Sequence, residues 1–335
     1  MAERILIVAP SWVGDAILSE PLVAVLREPF AEPFVDVLAP PWCAPVYARM
    51  RGVGHIIENP LGHGELGLKR RRALAREVRG RGYTRAFILP NSFKSALIPW
   101  FAGIPRRIGY AGEGRRALLT EARRLDPTAL PRLVDRFVAL AVPKERLIPT
   151  PPSPVLVPDA ANAFAAIRAL TLSTRRPIAI LCPGAEYGPA KRWPAEHFIA
   201  LARRLLDEGY AVWLLGSPND QAAALPIAAA VTGVRDLTGR TDLGTAIDLL
   251  SLAEVVVSND SGLMHAAAAV GRPLVALFGS SSPDYTPPLS PLAHIAKIDI
   301  VCSPCFQREC PLGHFKCMRE LDVEVVHDLA LKASA

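Results

Sequence analysis

The chain alternates short apolar runs with longer segments in which apolar residues recur every three or four positions. Short runs bounded by turn residues predict buried strands, and the three-to-four period predicts amphipathic helices. In the first half, strands are expected at 5–9, 34–39, 55–58 and 85–89, with helices at 16–26, 69–79 and 93–101. Pro143, Pro149, Pro151, Pro152, Pro154 and Pro158 then crowd one stretch. Proline fixes φ and withholds a donor, so a stiff linker is expected there. The second half restarts the rhythm, with strands at 178–182, 211–215, 255–258 and 273–278 and helices at 195–207, 222–231, 245–252 and 263–270. A last amphipathic segment, 323–331, is expected to cross back to the first domain. Strand–helix alternation predicts parallel sheets. The expected fold class is therefore α/β, with one domain over 1–150, a second over 151–320 and a C-terminal helix within 321–335. In open parallel sheets ligands sit beyond the carboxyl ends of the strands, so the loops after the strands should carry function at a cleft between the two sheets.

Composition supports two packed cores. Of 335 residues, half are hydrophobic and about a fifth charged, which argues against disorder. The apolar run at 5–9 is too short for a signal segment, and no stretch approaches the ~20 apolar residues of a membrane span, so a cytoplasmic protein without a transmembrane segment is expected. The net charge of +6 suits anionic small molecules or an anionic membrane surface. Nucleic acid is not expected as a partner, because no RNP, KH or zinc-finger pattern accompanies that charge. No Walker loop is present and no G-x-G-x-x-G is expected after any strand, which weakens NTPase and dehydrogenase readings. No Asp-x-Asp pair occurs, so a metal-bridged nucleotide-sugar site is unsupported.

The strongest chemical signal follows the strand at 255–258: Asn259-Asp260-Ser261-Gly262-Leu263-Met264-His265. Asp260 or Ser261 can cap the next helix, Gly262 lets a ligand approach its first N–H groups, and the helix dipole favours an anion there. His265 falls one turn deeper on the face of Ser261. After the strand at 178–182 comes a glycine-containing loop from Pro183-Gly184 to Lys191-Arg192-Trp193-Pro194. Lys191 is a compact charge suited to a departing phosphate, and Arg192 either binds a second oxygen or faces water. Gly216 and the Gly279–Ser282 stretch add small-residue loops at two more strand ends, and the four loops together predict a nucleotide-diphosphate pocket. Each fragment taken singly also reads as an ordinary helix cap, a core histidine or a solvated cation.

In the first half, Pro10-Ser11-Trp12-Val13-Gly14-Asp15 follows the first strand. Asp15 is either a helix N-cap or a general base for an acceptor hydroxyl. Trp12, Gly14, His63, Asn91, Ser92 and Lys94 are the candidate acceptor contacts. The cations Lys69, Arg70, Arg71, Arg72, Arg106, Arg107, Arg115 and Arg116 give this half a basic surface, much of it expected to be solvated.

These motifs, with Pro60-Leu61-Gly62-His63-Gly64 and Leu89-Pro90-Asn91-Ser92-Phe93-Lys94-Ser95, resemble in order the lipopolysaccharide heptosyltransferases of type II in glycosyltransferase family 9. The likeness runs to about Pro288. It implies the GT-B architecture of two Rossmann-like domains, an ADP-heptose donor, a lipopolysaccharide inner-core acceptor at the cytoplasmic membrane face, inversion at the anomeric carbon and no cofactor required for catalysis. By the same resemblance Asp15 matches the general base and Lys191 the pyrophosphate lysine. Asp260, Ser261, Gly262 and His265 match the donor loop, with the Asp260 carboxylate turned to sugar hydroxyls. Asp220 is the nearest candidate for the acid near the adenosine. A sugar-nucleotide 2-epimerase, another GT-B transferase and a non-catalytic nucleotide binder are the alternative readings.

Cys302-Ser303-Pro304-Cys305, Cys310 and Cys317 depart from that pattern. A C-x-x-C followed closely by two thiols has the character of a structural zinc or iron site, and reduced thiols or a labile disulfide are the other readings. Cys43 and Cys182 are expected to be packing residues.

Overall fold

The computed structural model describes residues 3–27, 34–62, 64–143 and 146–334. They form two compact units, Met1–Pro154 and Val155–Ala335. In the first unit, β1 (Arg4–Val8) is followed by α1 (Val13–Leu18), α2 (Glu20–Arg27), β2 (Phe34–Ala39), α3 (Ala44–Tyr47), β3 (Val53–Glu58) and α4 (Leu68–Gly80). Then come β4 (Arg85–Ile88), α5 (Leu97–Ala102), β5 (Arg106–Tyr110), β6 (Glu121–Arg123) and α6 (Leu133–Ala141). The strands make one parallel sheet in the order β3-β2-β1-β4-β5-β6. Order reverses between β1 and β4, so the loops that follow these two strands flank the switch point where such sheets bind ligands.

The second unit repeats the plan. It opens with α7 (Ala160–Ala169), β7 (Ile178–Cys182), α8 (Ala195–Asp207), β8 (Ala211–Leu214), α9 (Gln221–Ala230), β9 (Arg235–Asp236) and α10 (Leu243–Leu250). It continues through β10 (Val255–Asn259), α11 (Gly262–Ala269), β11 (Leu274–Leu277), β12 (Ala293–Ala296), α12 (Lys316–Arg319) and α13 (Val323–Ser334). The sheet is again parallel, in the order β12-β11-β10-β7-β8-β9, and its switch point lies between β7 and β10. β7 and the body of β10 are buried on both faces, which explains their unbroken apolar runs. On α8, Phe198, Leu201, Ala202 and Leu205 form the buried stripe. Each of its large side chains contributes roughly 1.5–3 kcal/mol by leaving water.

Four expectations need revision. The helix expected over 16–26 breaks at Ser19, whose hydroxyl bonds the Ala16 carbonyl at 2.6 Å. Pro21 then lies in the first turn of α2, where its missing N–H is tolerated. The segment 93–101 begins as a 3₁₀ turn, Phe93–Ala96, before α5. The C-terminal helix α13, expected as a segment apart from the second domain, falls within the second unit, where it packs on α8 and on β10, β11 and β12. Finally, Gly62 to Gly67 does spell G-x-G-x-x-G, but after the edge strand β3 rather than at the sheet centre. Arg71 closes this turn by donating to the carbonyls of Leu66 at 2.7 Å and Glu65 at 3.1 Å.

Candidate functional site

Two constellations form, one at each switch point. In the first unit, α1 starts directly after β1 with Trp12 as its N-cap, so Asp15 is the third helical residue and not the cap. Asp15 is half-buried, Trp12 is 41% exposed, and Gly14 sits between them on the first turn. The loop is braced from α3's approach: Trp42 Nε1 donates to the Ser11 carbonyl at 2.8 Å. Cys43 is buried, and burial followed by the nearby Asp15 charge pushes its thiol up to about 12, so it stays protonated and packs.

The loop after β4 carries Asn91, Ser92 and Lys94, which the sheet order brings to the strand end beside that of β1. Its organiser is Arg115, expected on the surface but fully buried. Its guanidinium donates to the carbonyls of Pro90, Tyr110 (2.9 Å) and Ser92 (3.3 Å), to Ser95 Oγ (2.8 Å) and to Asn91 Oδ1 (3.3 Å). Burial lowers its pKa to about 10, which leaves it charged at neutral pH. Sequence gave no sign of this, because a buried arginine and a solvated one look alike until the carbonyls around it are known. Arg71 is likewise buried. His63 lies outside the described residues.

In the second unit, the loops after β7 and β10 meet. Lys191 Nζ lies 2.5 Å from Asp260 Oδ2, with only 5% of the Asp260 side chain exposed. Ser281 Oγ, from the loop after β11, donates to the same oxygen. Asn259 ties the two loops together: its amide donates to the Pro183 carbonyl at 2.8 Å and accepts from the Trp193 backbone at 3.1 Å. Ser261 is the N-cap of α11, yet its side chain makes no cap hydrogen bond, so the first turn keeps donors for a ligand. His265 is buried, and burial lowers its pKa to about 4; Asp260 opposes the shift and Lys191 adds to it. The imidazole is therefore neutral at physiological pH.

At Gly184 and Gly216, expected to let a ligand approach, the missing Cβ makes room for a side chain. A Cβ at Gly184 would overlap the Asp220 carboxylate, and one at Gly216 would crowd the Asp220 Cβ at 2.9 Å. Asp220 meanwhile closes a capping box with Ser217, whose N–H and hydroxyl reach Oδ2 at 2.9 and 2.8 Å. Its Oδ1 is buried without a hydrogen-bond partner. The bare glycines admit a carboxylate between two strand ends. Arg192 turns back on its own loop to the Ala185 carbonyl at 3.3 Å.

The four clustered cysteines are free and line one small cavity of about 20 Å³ with Ala190, Ser280, His314 and Phe315. Cys302 Sγ lies 4.0 Å from His314 Nε2. The Phe315 N–H donates to Cys310 Sγ at 3.4 Å, and such backbone donors lower the Cys310 pKa. Cys317 is pushed up by burial and by the other three sulfurs. Among the described residues, the group with ligand atoms all within 4.8 Å of one another is Glu324, His327 and Asp328, where Glu324 already pairs with Arg204 at 2.6 Å. The four cysteines do not make up such a group.

The family model for glycosyltransferase family 9 (heptosyltransferase) matches residues 71–316. The chain is 46% identical over 306 residues to lipopolysaccharide heptosyltransferase 2 of Escherichia coli (strain K12), with 88% of both chains covered. It is 44% identical over 308 residues to lipooligosaccharide heptosyltransferase 2 of Haemophilus influenzae, again covering 88% of both. The solved structure of E. coli ADP-heptose lps heptosyltransferase II superposes with a TM-score of 0.84 at 40% identity, over 99% of this chain and 100% of that one. The iron-containing heptosyltransferase TibC shares the fold, with a TM-score of 0.59 at 15% identity over 99% of this chain and 77% of that one. Two parallel α/β units, each with its loops gathered at a switch point, and these matches over most of the chain agree: the protein belongs to glycosyltransferase family 9, the heptosyltransferases.

Proposed function

We propose that this glycosyltransferase moves L-glycero-D-manno-heptose from ADP-heptose onto the heptose of the lipopolysaccharide inner core, with inversion at the anomeric carbon. The observation that carries this reading is the Lys191–Asp260 pair beside the open N-terminus of α11. A departing diphosphate needs positive charge and N–H donors where its negative charge grows. Lys191 supplies the charge, and the first N–H groups of α11, at Ser261 and Gly262, supply the donors with the helix dipole behind them. Asp260 would repel the phosphates, so its work is to hold Lys191 and to face sugar hydroxyls. Neutral His265 supports the donor without adding charge to the pocket. Asp15 takes the proton of the acceptor hydroxyl as that oxygen attacks, with Trp12, Gly14, Asn91, Ser92 and Lys94 contacting the acceptor. Gly184, Gly216 and Arg192 shape the donor pocket through the Asp220 and Ala185 contacts.

The reading places the enzyme in the cytoplasm, at the membrane face where the acceptor is anchored. Exposed Lys69, Arg72, Arg76 and Arg79 recur along one side of α4, near exposed Leu66, Leu68 and Trp100, a combination suited to an anionic lipid surface. No described helix is long and apolar enough to cross a membrane. The four thiols fit a structural zinc or iron in chemistry: all are free, all line one cavity, and backbone N–H groups favour thiolate at Cys310. Such a metal would brace the fold and take no part in transfer.

The test is incubation with ADP-heptose and an inner-core acceptor ending in its first heptose, read by mass spectrometry. One added heptose is expected. An unmodified acceptor with epimerised donor would instead favour the 2-epimerase reading.

A further inference from the structure

We infer that the cysteine finger, residues 302–317, is the clasp that seats Lys191, so that ligation of its four thiols sets the affinity of the nucleotide site. This inference rests on the donor-site reading above. Lys191 ends the short 3₁₀ turn Pro189–Lys191, which has little regular structure around it. That turn is held from outside, by the finger. The Ala190 N–H donates to the Arg308 carbonyl at 3.0 Å, and the Tyr187 hydroxyl donates to the Phe306 carbonyl at 2.7 Å. Gly188 lies at φ 155°, and a Cβ there would overlap the Arg308 carbonyl. The Tyr187 ring has the Lys191 ammonium 4.9 Å and the Arg308 guanidinium 5.1 Å from its centre.

The finger reaches the other half of the ion pair as well. The Phe306 N–H donates to the Ser280 carbonyl at 2.6 Å and Ser303 Oγ to the Gly279 carbonyl at 2.7 Å. The bare face of Gly279 is filled by Met318, with Cys317 Sγ 3.2 Å from where a Cβ would stand. Ser281, which follows Ser280, bonds Asp260. One strap thus fastens the loop bearing Lys191 and the loop that steadies its carboxylate.

Little else orders the strap. Between β12 and the one-turn α12 it has no regular element, and Val301, Phe306 and Leu312 are exposed, so it has few buried apolar groups of its own. An irregular segment without a core needs a cross-link to stay ordered. Four soft ligands around one cavity provide it, and the cavity wall includes Ala190 and Ser280, residues of the two fastened loops. A zinc or iron there would be held by the thiolates of Cys302, Cys305, Cys310 and Cys317 and would cross-link the strap beside both loops.

The experiment uses the full chain, purified under reducing conditions, with zinc and iron measured by mass spectrometry and ADP affinity by calorimetry. Wild type is expected to carry one metal equivalent. Cys310→Ser should lose the metal and raise the ADP Kd at least tenfold. Tyr187→Phe keeps the thiols and should keep the metal, yet weaken ADP severalfold; it serves as the second test if Cys310→Ser folds poorly. In a Lys191→Ala background, Cys310→Ser should weaken ADP no further, because the clasp acts through Lys191. A metal-free wild type, an ADP Kd within twofold of wild type in both variants, or additive losses in the double variant would overturn the clasp. A wild type that binds no ADP at all would overturn the donor reading beneath it.

Discussion

Lys191 and Asp260 pair at 2.5 Å across the switch point of the second sheet, joining the loop after β7 to the loop after β10. The sheet order makes the pair: β7 and β10 are neighbours although 72 residues lie between the end of β7 and the start of β10 in the chain. Asp260 is the more deeply buried partner, so its charge depends on Lys191 and Ser281 for compensation.

Removing either partner should therefore have unlike effects. Lys191→Ala is expected to weaken ADP binding on the order of 100-fold and to destabilise the fold by about 3 kcal/mol, because Asp260 is left buried and unpaired. Asp260→Asn removes that buried charge and should cost less stability while weakening the donor sugar contact. Urea unfolding with calorimetric ADP titration checks both. Equal stability losses would show that the pair is not the compensated buried unit described here.

Asp15→Asn keeps the size of the side chain and removes its basicity. Turnover is expected to fall by about 10²–10⁴-fold, the usual contribution of a general base, with ADP affinity unchanged. Single-turnover transfer beside ADP titration separates the two quantities. Retained turnover would remove Asp15 from the chemistry.

Gly184→Ala should be strongly destabilising for a substitution that adds one methyl group, since the added Cβ meets the Asp220 carboxylate. Overpacking of this kind costs about 1–3 kcal/mol. Pairing it with Asp220→Ala should recover part of the loss, an interaction that a thermal-melt double-mutant cycle reads directly. If Gly184→Ala alone melts like wild type, the carboxylate does not occupy that space.

His265 gives a pH signature. Its folded pKa of about 4 lies below the ordinary 6.5, so between those values the unfolded chain binds more protons than the folded one. Stability from this group is full above pH 6.5 and is lost as pH falls towards 4, by roughly 3 kcal/mol in total. His265→Gln should flatten the acid limb in that window. An unchanged slope of unfolding free energy between pH 6.5 and 4 would contradict the buried neutral imidazole.

Arg115→Ala should loosen the loop after β4 by removing the guanidinium that bonds the Pro90, Tyr110 and Ser92 carbonyls together. A stability loss of about 3 kcal/mol and a raised acceptor KM are expected, with the ADP Kd unaffected. Hydrogen exchange of residues 89–96 would report the loosening. Protection equal to wild type would rule the clamp out.

Much of the architecture was legible before the structure. The buried parallel strands at 178–182 and 255–258 announced themselves as unbroken apolar runs, and α8 as a three-to-four stripe, because burial on two faces or one stripe leaves a pattern in the chain. β5, β6, β9 and β12 were not foreseen. β5, β6 and β9 carry charged residues such as Arg106, Arg107, Glu121 and Arg235, and β12 is four residues interrupted by His294, so all four lack a clear apolar signal. Ser19 split one expected helix because a local hydroxyl-to-carbonyl bond and Pro21 compete with continuous helix, and periodicity alone does not register that competition.

The candidate site divides in the same way. Glycines, small residues and the helix start after Asn259 could be read locally, since backbone geometry and helix dipoles are local properties. Which cation meets which carboxylate could not. Lys191 with Asp260, Arg115 with the carbonyls around Pro90, Asp220 against Gly184, and Tyr187 with Phe306 are contacts between distant parts of the chain. The sequence by itself determined the α/β rhythm, the apolar strands and the glycine-containing loops that follow them. The tertiary structure decided the partners, because sheet order and desolvation depend on segments that meet only after folding.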